Sequence, residues 1–288
     1  MAALDELQLA LHDGPAVLVQ VTRVQGSGPR EVGAWMALTP TRLIATIGGG
    51  HLEFEAIAHA KGLLEGQVLP PSRSFALGPS LGQCCGGVVD LSFELLPQRP
   101  QHALPDALPD ARPDELLDEL RQRLSPPEAS LLPVGLFGGG HVGRAIIELL
   151  TRLPSRVQWF DSRDEVFPSG LPAHVRSEHS EPVQAAVQEL APGSRVLIMS
   201  FSHAEDLDVL AACLLRQRAR GDLAFIGLIG SKSKWASFSA RLRERGFSAA
   251  ELAQVTCPIG LAGIAGKQPE VIALAVVAQL FLSWQRSV

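Results

Sequence analysis

The segment Gly138-Gly139-Gly140-His141-Val142-Gly143 constrains this chain more than any other. It follows an apolar run, Val134 to Phe137, and opens a stretch with helical spacing, His141 to Leu150. In that context Gly138-x-Gly140-x-x-Gly143 makes a tight strand-to-helix turn whose backbone can approach a pyrophosphate. The free N–H groups and the positive end of the helix dipole then face the anion. Asp161 closes the next predicted strand, Val157 to Phe160, eighteen residues after Gly143. A carboxylate there accepts from a ribose 2′-hydroxyl and repels a 2′-phosphate. The alternative is a turn that only packs helix on strand, since the fold by itself does not specify a reaction.

The alternation continues to the end of the chain. Strands are predicted at Val196 to Ser200 and Leu223 to Leu228, and helices at Val183 to Leu190, Ala204 to Gln217 and Lys232 to Arg245. Such a pattern gives a parallel sheet with helices on both faces. The last helix, about Pro269 to Trp284, is apolar nearly all round, so it packs on the sheet or on a second subunit. Two further glycine-rich turns, Gly227 to Lys232 leading into a helix with lysines at 232 and 234, and Gly260 to Lys267, could each add N–H groups and a cation for an anion; tight loops with exposed lysines are the equal alternative.

Upstream the pattern changes. The region Pro97 to Pro133 holds 8 of the 21 prolines and cannot join a sheet interior. Within it, Asp114 to Leu124 has helical spacing. The fold class is therefore α/β: a mixed α+β domain over residues 1–97, a proline-rich linker with one short helix over 98–131, and a Rossmann-like parallel-sheet domain over 132–288. Strands are expected at Ala16 to Val24, Trp35 to Leu38, Leu43 to Ile47 and Val88 to Leu95, with a helix from His51 to Leu64.

Composition removes several function classes. A net charge of −5 without a basic stripe argues against nucleic-acid binding. The first residues lack the basic start and apolar run of a secretory signal, and no apolar stretch approaches the ~20 residues of a membrane span, so a cytoplasmic, non-membrane protein is expected. No Cys-x-x-Cys is present, which argues against a structural zinc site. The absence of tyrosine excludes the Tyr/Lys proton donor of a short-chain dehydrogenase.

The N-terminal domain carries its own chemistry-bearing loops. Gly82-Gln83-Cys84-Cys85-Gly86-Gly87 sets two adjacent thiols between glycines just before a strand. Free cysteines are ordinarily small buried hydrophobes. The flanking glycines instead leave the backbone open to a ligand and let the thiols face a cleft. Thiolates there suit sulfur transfer, a soft metal, or a labile disulfide. Gln25 to Glu31 offers open backbone beside Arg30, and Gly48-Gly49-Gly50-His51-Leu52-Glu53 is a strand-to-helix turn bearing a His and a Glu.

Taken together these segments resemble the xanthine dehydrogenase accessory protein family (XdhC type). The matching stretches are Gly26 to Gly33, Ile47 to Glu53, Leu77 to Gly87, Phe137 to Arg144, Ile226 to Lys232 and Cys257 to Lys267. The resemblance implies a homodimeric carrier rather than a turnover enzyme. Such a carrier binds the molybdenum cofactor (molybdopterin), shields it while a cysteine desulfurase supplies sulfur, and delivers it to xanthine dehydrogenase in purine catabolism. It makes Cys84 and Cys85 the candidate contacts to molybdenum, with Gln83, Gly86 and Gly87 shaping their loop. Arg30, Gly48, Gly49, Gly50, His51 and Glu53 complete the candidate set in this domain. In the Rossmann-like domain the candidates are Gly138, Gly140, His141, Gly143, Asp161, His203 and Lys232, where a nucleotide such as NAD could also sit. The sequence departs from the family pattern at Phe201, where a histidine is expected before Ser202-His203-Ala204-Glu205-Asp206. The competing reading is an NAD(P)-dependent oxidoreductase with His203 as proton donor; a thiol redox sensor built on Cys84 and Cys85 leaves the second domain unused.

Overall fold

A computed structural model of the chain describes residues 2–77, 86–99 and 115–285. Gln83, Cys84 and Cys85 lie outside the described residues. The chain divides into two units, Met1–Ser125 and Pro126–Val288.

The first unit runs α1 (Ala2–Asp13), β1 (Ala16–Gln25), β2 (Trp35–Leu38), β3 (Leu43–Ala45), α2 (Gly50–Leu64), β4 (Ser72–Ala76), β5 (Val88–Leu96) and α3 (Glu115–Leu124). Its strands form one antiparallel sheet in the order β3-β2-β1-β5-β4. Side chains alternate across a strand, and β1 is apolar on both sides. Val17, Val19 and Val21 meet Leu52, Ala56 and Ala60 of α2 on one face. Ala16 and Leu18 meet Leu7 and Leu11 of α1 and Leu120 and Leu124 of α3 on the other. Each fully buried valine or leucine here contributes about 1.5–3 kcal/mol, and each alanine about 0.8 kcal/mol. The short helix read into the linker is thus part of the first unit's core. Between Val21 and Arg23 the pairing of β1 with β5 slips, leaving Thr22 as an extra residue. A bulge of this kind twists and re-aims a strand end, and here it lies just before the Gln25–Gly33 loop.

The second unit runs β6 (Leu132–Phe137), α4 (His141–Leu150), β7 (Ser155–Asp161), β8 (Val175–His179), β9 (Arg195–Ile198), α5 (His203–Arg220), β10 (Phe225–Leu228), α6 (Lys232–Glu244), α7 (Ala249–Leu252), β11 (Val255–Thr256) and α8 (Pro269–Gln285). The sheet is wholly parallel, in the order β11-β10-β9-β6-β7-β8. Numbered within the unit this is the doubly wound order 3-2-1-4-5-6, whose ligand crevice opens where the order reverses, at the carboxyl ends of β6 and β9. α4 and α8 cover one face, where Ile146, Leu150, Ala273, Val276 and Leu280 pack around Trp159. α5 and α6 cover the other with Leu207, Leu210, Leu214, Phe238 and Leu242.

One predicted helix takes another form. Residues Val183–Glu189 make a 3₁₀ segment rather than an α-helix. Pro182 precedes it and Pro192 follows closely, and the buried Arg216 of α5 pins its end. The guanidinium of Arg216 donates to the carbonyls of Val187 at 2.6 Å and Leu190 at 2.8 Å, and pairs with Asp222. β4, β8, β11, α1 and α7 are elements that hydrophobic periodicity did not announce.

Candidate functional site

In the second unit each glycine of the turn answers a different demand. Gly138 has φ +124°, and a Cβ there would lie 2.0 Å from the carbonyl oxygen of Met199 just after β9. A Cβ on Gly143 would lie 2.2 Å from the carbonyl oxygen of Gly138. Those two glycines let strand, turn and helix close on one another. At Gly140 nothing lies within 4 Å of the added atom, and the residue is exposed. That is where a ligand can reach the backbone. The indole N–H of the buried Trp159 donates to the Gly138 carbonyl at 3.0 Å and the Gly138 N–H donates to Phe160, so the turn is tied to β7.

Three helix N-termini point toward this edge. Ser202 caps α5 by accepting from the Glu205 N–H, and Ser231 caps α6 by accepting from the Lys234 N–H. Gly140 gives α4 no side-chain cap. The unsatisfied amides and dipole end of α4 are therefore the ones an anion would meet. His141 sits exposed on the first turn of α4.

Asp161 occupies the place foreseen for it, with a different set of partners. Its side chain is 1% exposed. Oδ2 accepts from the Gly139 N–H at 2.6 Å and from Nη2 of Arg163 at 2.9 Å. Oδ1 accepts from the N–H and from Nε of Arg163, each at 2.9 Å. Burial alone raises a carboxyl pKa, but the fork of Arg163 and the two backbone donors outweigh it and hold Asp161 below the usual range. Arg163 lies over the ring of Phe201, 4.4 Å from its centroid, and Phe201 is exposed. Phe201, where the resemblance led to the expectation of a histidine, thus backs a guanidinium. Next to it, Glu205 accepts from the Ser162 hydroxyl at 3.0 Å.

Deeper in the crevice a cation and an acid pair. Nζ of Lys234 lies 2.6 Å from Oδ2 of Asp206 and donates also to the carbonyl of Ile229. Oδ1 of Asp206 accepts from the N–H of Ser200 at 2.7 Å, which fixes the segment leaving β9. Of the two lysines opening α6, Lys232 is exposed on the first turn, and the half-buried Lys234 is the one that turns inward. His203 is exposed at the start of α5 and meets Phe238 edge-on, with ring centroids 6.2 Å apart. Burial raises the thiol pKa of Cys257, with Lys234 opposing and Asp206 adding to the shift.

In the first unit the glycine-rich loops converge on one end of the sheet. The Leu77 N–H donates to the Gly87 carbonyl at 2.7 Å, so the two ends of the segment holding Cys84 and Cys85 meet. A Cβ on Gly87 would lie 2.5 Å from the carbonyl oxygens of Gln25 and Ser27. Gly87 is therefore seated against the Gln25–Gly28 loop. That loop in turn touches the triple-glycine turn, since a Cβ on Gly48 would lie 2.6 Å from Pro29. Gly49 and Gly86 have nothing within 4 Å of an added Cβ and leave backbone open.

The acidic and basic candidates here mostly serve the loops. Oε2 of Glu53 accepts from the N–H groups of Ile47 at 3.0 Å and Gly49 at 3.1 Å and from the Thr46 hydroxyl at 2.5 Å. Gly48, Gly49 and Gly50 all have positive φ, and this carboxylate holds their turn in shape. Arg30 pairs with Glu31 at 2.9 Å and donates to the Thr46 carbonyl. The hydrogen bond to Glu31 raises the pKa of Arg30, and the same contact lowers that of Glu31. His51 is exposed beside Glu55 and stacks on Phe54. Among the described residues no group of three or more His, Cys, Asp or Glu side chains is placed to hold a metal ion.

Residues 134–280 match the XdhC Rossmann domain, and residues 10–69 match the XdhC and CoxI family. The chain belongs to the XdhC family. A curated relative, the uncharacterized protein YqeB of Escherichia coli K12, is 25% identical over 272 residues. That alignment takes in 92% of this chain and 43% of YqeB, so the chain spans less than half the length of that relative. A solved structure from Bacillus halodurans, described as a xanthine dehydrogenase, superposes with a TM-score of 0.64 at 18% identity, covering 100% of this chain and 97% of that one. At that identity the likeness shows the fold. The matched ranges take in the doubly wound sheet and the Gly26–Gly33, Gly48–Gly50 and Gly138–Gly143 loops. Among the described residues no helix is long and apolar enough to cross a membrane.

Proposed function

We propose that the chain is a maturation factor for xanthine dehydrogenase, a non-catalytic carrier that binds the molybdenum cofactor, protects it during sulfuration and hands it on. Membership of the XdhC family supports the maturation role. The observation that carries the cofactor reading is the convergence in the first unit, where Gly87 packs against Gln25 and Ser27 and Gly48 against Pro29. Gly87, the second residue after Cys85, thus lies against the Gln25–Gly28 loop, and Gly49 and Gly86 leave backbone open, which supports this reading. The group fits this donor set: adjacent thiols suit a soft metal, and open backbone suits a pterin phosphate.

In this reading Cys84 and Cys85 would hold the molybdenum, and Gln83, Gly86 and Gly87 would let their loop close on the pterin. When bound, the cofactor supplies the metal centre that xanthine dehydrogenase uses. The chain itself orients the group, limits access of water and oxygen, and presents it to a cysteine desulfurase and then to the target enzyme. The Gly138 turn of the second unit holds a separate phosphate-bearing ligand, and the carrier works as a homodimer in the cytoplasm. A host lacking this chain should make xanthine dehydrogenase protein in normal amounts with little activity, restored when the chain is supplied. Full activity without the chain would overturn the maturation role.

A further inference from the structure

The group presented at the ribose-reading position of the second unit is a cation. In a doubly wound domain the end of the strand after the glycine turn faces the ribose of a bound dinucleotide. Here that strand is β7, and its last residue, Asp161, already receives four hydrogen bonds: one from Gly139 and three from Arg163. An ionised carboxylate has about four acceptor sites, so none remains for a 2′-hydroxyl. Its charge is also matched by the guanidinium, which removes the repulsion a bare acid would exert on a 2′-phosphate. The exposed element is Arg163 itself, with a side chain 37% accessible. Two contacts fix its plane: the fork to Asp161 on one edge and the ring of Phe201 at 4.4 Å on one face. A planar, immobilised guanidinium is the group best matched to a phosphate. Gly140 leaves the turn open for the ligand's own pyrophosphate.

We propose that the second unit binds a 2′-phosphorylated adenine dinucleotide, with Arg163 reading the 2′-phosphate and Phe201 holding Arg163 in plane. This rests on the phosphate-cradle reading of the Gly138 turn and is independent of the cysteine loop.

The test is calorimetric titration of the full-length chain with 2′,5′-ADP and with 5′-AMP, which differ only in the 2′-phosphate. The wild-type chain should bind 2′,5′-ADP about tenfold or more tightly, the scale of one charge-assisted contact. Arg163→Ala should abolish the difference, and Arg163→Lys should retain only part of it. Phe201→Ala, at an exposed position, should narrow the difference with the fold intact. Equal affinities in the wild type, no binding of either probe, or full discrimination by Arg163→Ala would each overturn the proposal. Molybdenum and pterin content of the same preparation reads the carrier function separately, so the two readings fail independently.

Discussion

Replacing Gly138 and Gly140 in turn with alanine should separate the turn's two duties, closing the fold and admitting the ligand. At Gly138 the new methyl meets two obstacles. The backbone stands at φ +124°, a region that costs a residue with a Cβ about 1–3 kcal/mol. The methyl also falls 2.0 Å from the Met199 carbonyl oxygen, which belongs to the backbone and cannot swing aside. Relieving that overlap by shifting β9 against β6 costs about another 1–3 kcal/mol. The sum, ~2–6 kcal/mol, is a large part of a typical domain's stability. At Gly140 φ is −70° and no atom lies within 4 Å of the methyl. Losing a glycine N-cap there costs about 1 kcal/mol at most. Three of the four tryptophans, Trp159, Trp235 and Trp284, lie in the second unit, and Trp159 is bonded to Gly138, so urea titration followed by tryptophan fluorescence reports the difference. Gly138→Ala should lower the midpoint by about 1–3 M urea for a slope near 2 kcal/mol/M, while Gly140→Ala barely moves it. Gly140→Ala should nonetheless weaken binding of an adenine dinucleotide by tenfold or more. Equal destabilisation by the two substitutions, or undiminished binding by Gly140→Ala, would refute the division of labour.

Other consequences are as direct. Asp206→Ala strands the ammonium of Lys234 in a nearly buried position and should cost about 3 kcal/mol, whereas Asp206→Ala with Lys234→Met should recover part of it; strictly additive losses in a denaturant series would contradict the pairing. Asp161 has a native pKa below its unfolded value of about 3.9, so its contribution is complete above that pH and is lost as the pH falls through the native pKa. Unfolding free energies measured from pH 2.5 to 7 should therefore drop below pH ~4 in the wild type and less steeply in Asp161→Asn. Cys213 is fully buried with its thiol pushed up to about 12, so alkylation of the native protein at pH 8 followed by peptide mass spectrometry should leave it unmodified until denaturant is added.

The second unit was largely legible because a buried parallel sheet writes itself as apolar runs alternating with helical periods. Val134 to Phe137 and Val196 to Ile198 are buried on both faces and admit no other reading. Edge elements escaped for the opposite reason. In β4, Ser-Arg-Ser-Phe-Ala, only Phe75 is buried, and in β8, Val-Arg-Ser-Glu-His, only Val175. A strand with one core contact leaves no alternation to detect. Arg163 could have been found, since residues two apart in extended backbone share a side and a carboxylate followed by an arginine at that spacing invites a pair. Lys234 was visible only as one of two lysines opening α6, at 232 and 234, and only the packed helix decides which of them turns inward. Glu53 was read as a ligand-facing acid, and the structure gives its carboxylate to the backbone of its own loop.

In the proposed function the molybdenum cofactor is held on the loop bearing Cys84 and Cys85. The most direct measurement is the molybdenum and pterin content of the full chain purified without oxygen from a cofactor-making host, compared with Cys84→Ala/Cys85→Ala prepared identically. Near-stoichiometric molybdenum and pterin are expected in the wild type, and their loss from the double variant with the fold intact. A wild-type chain without pterin, or a double variant that retains the full complement, would contradict it.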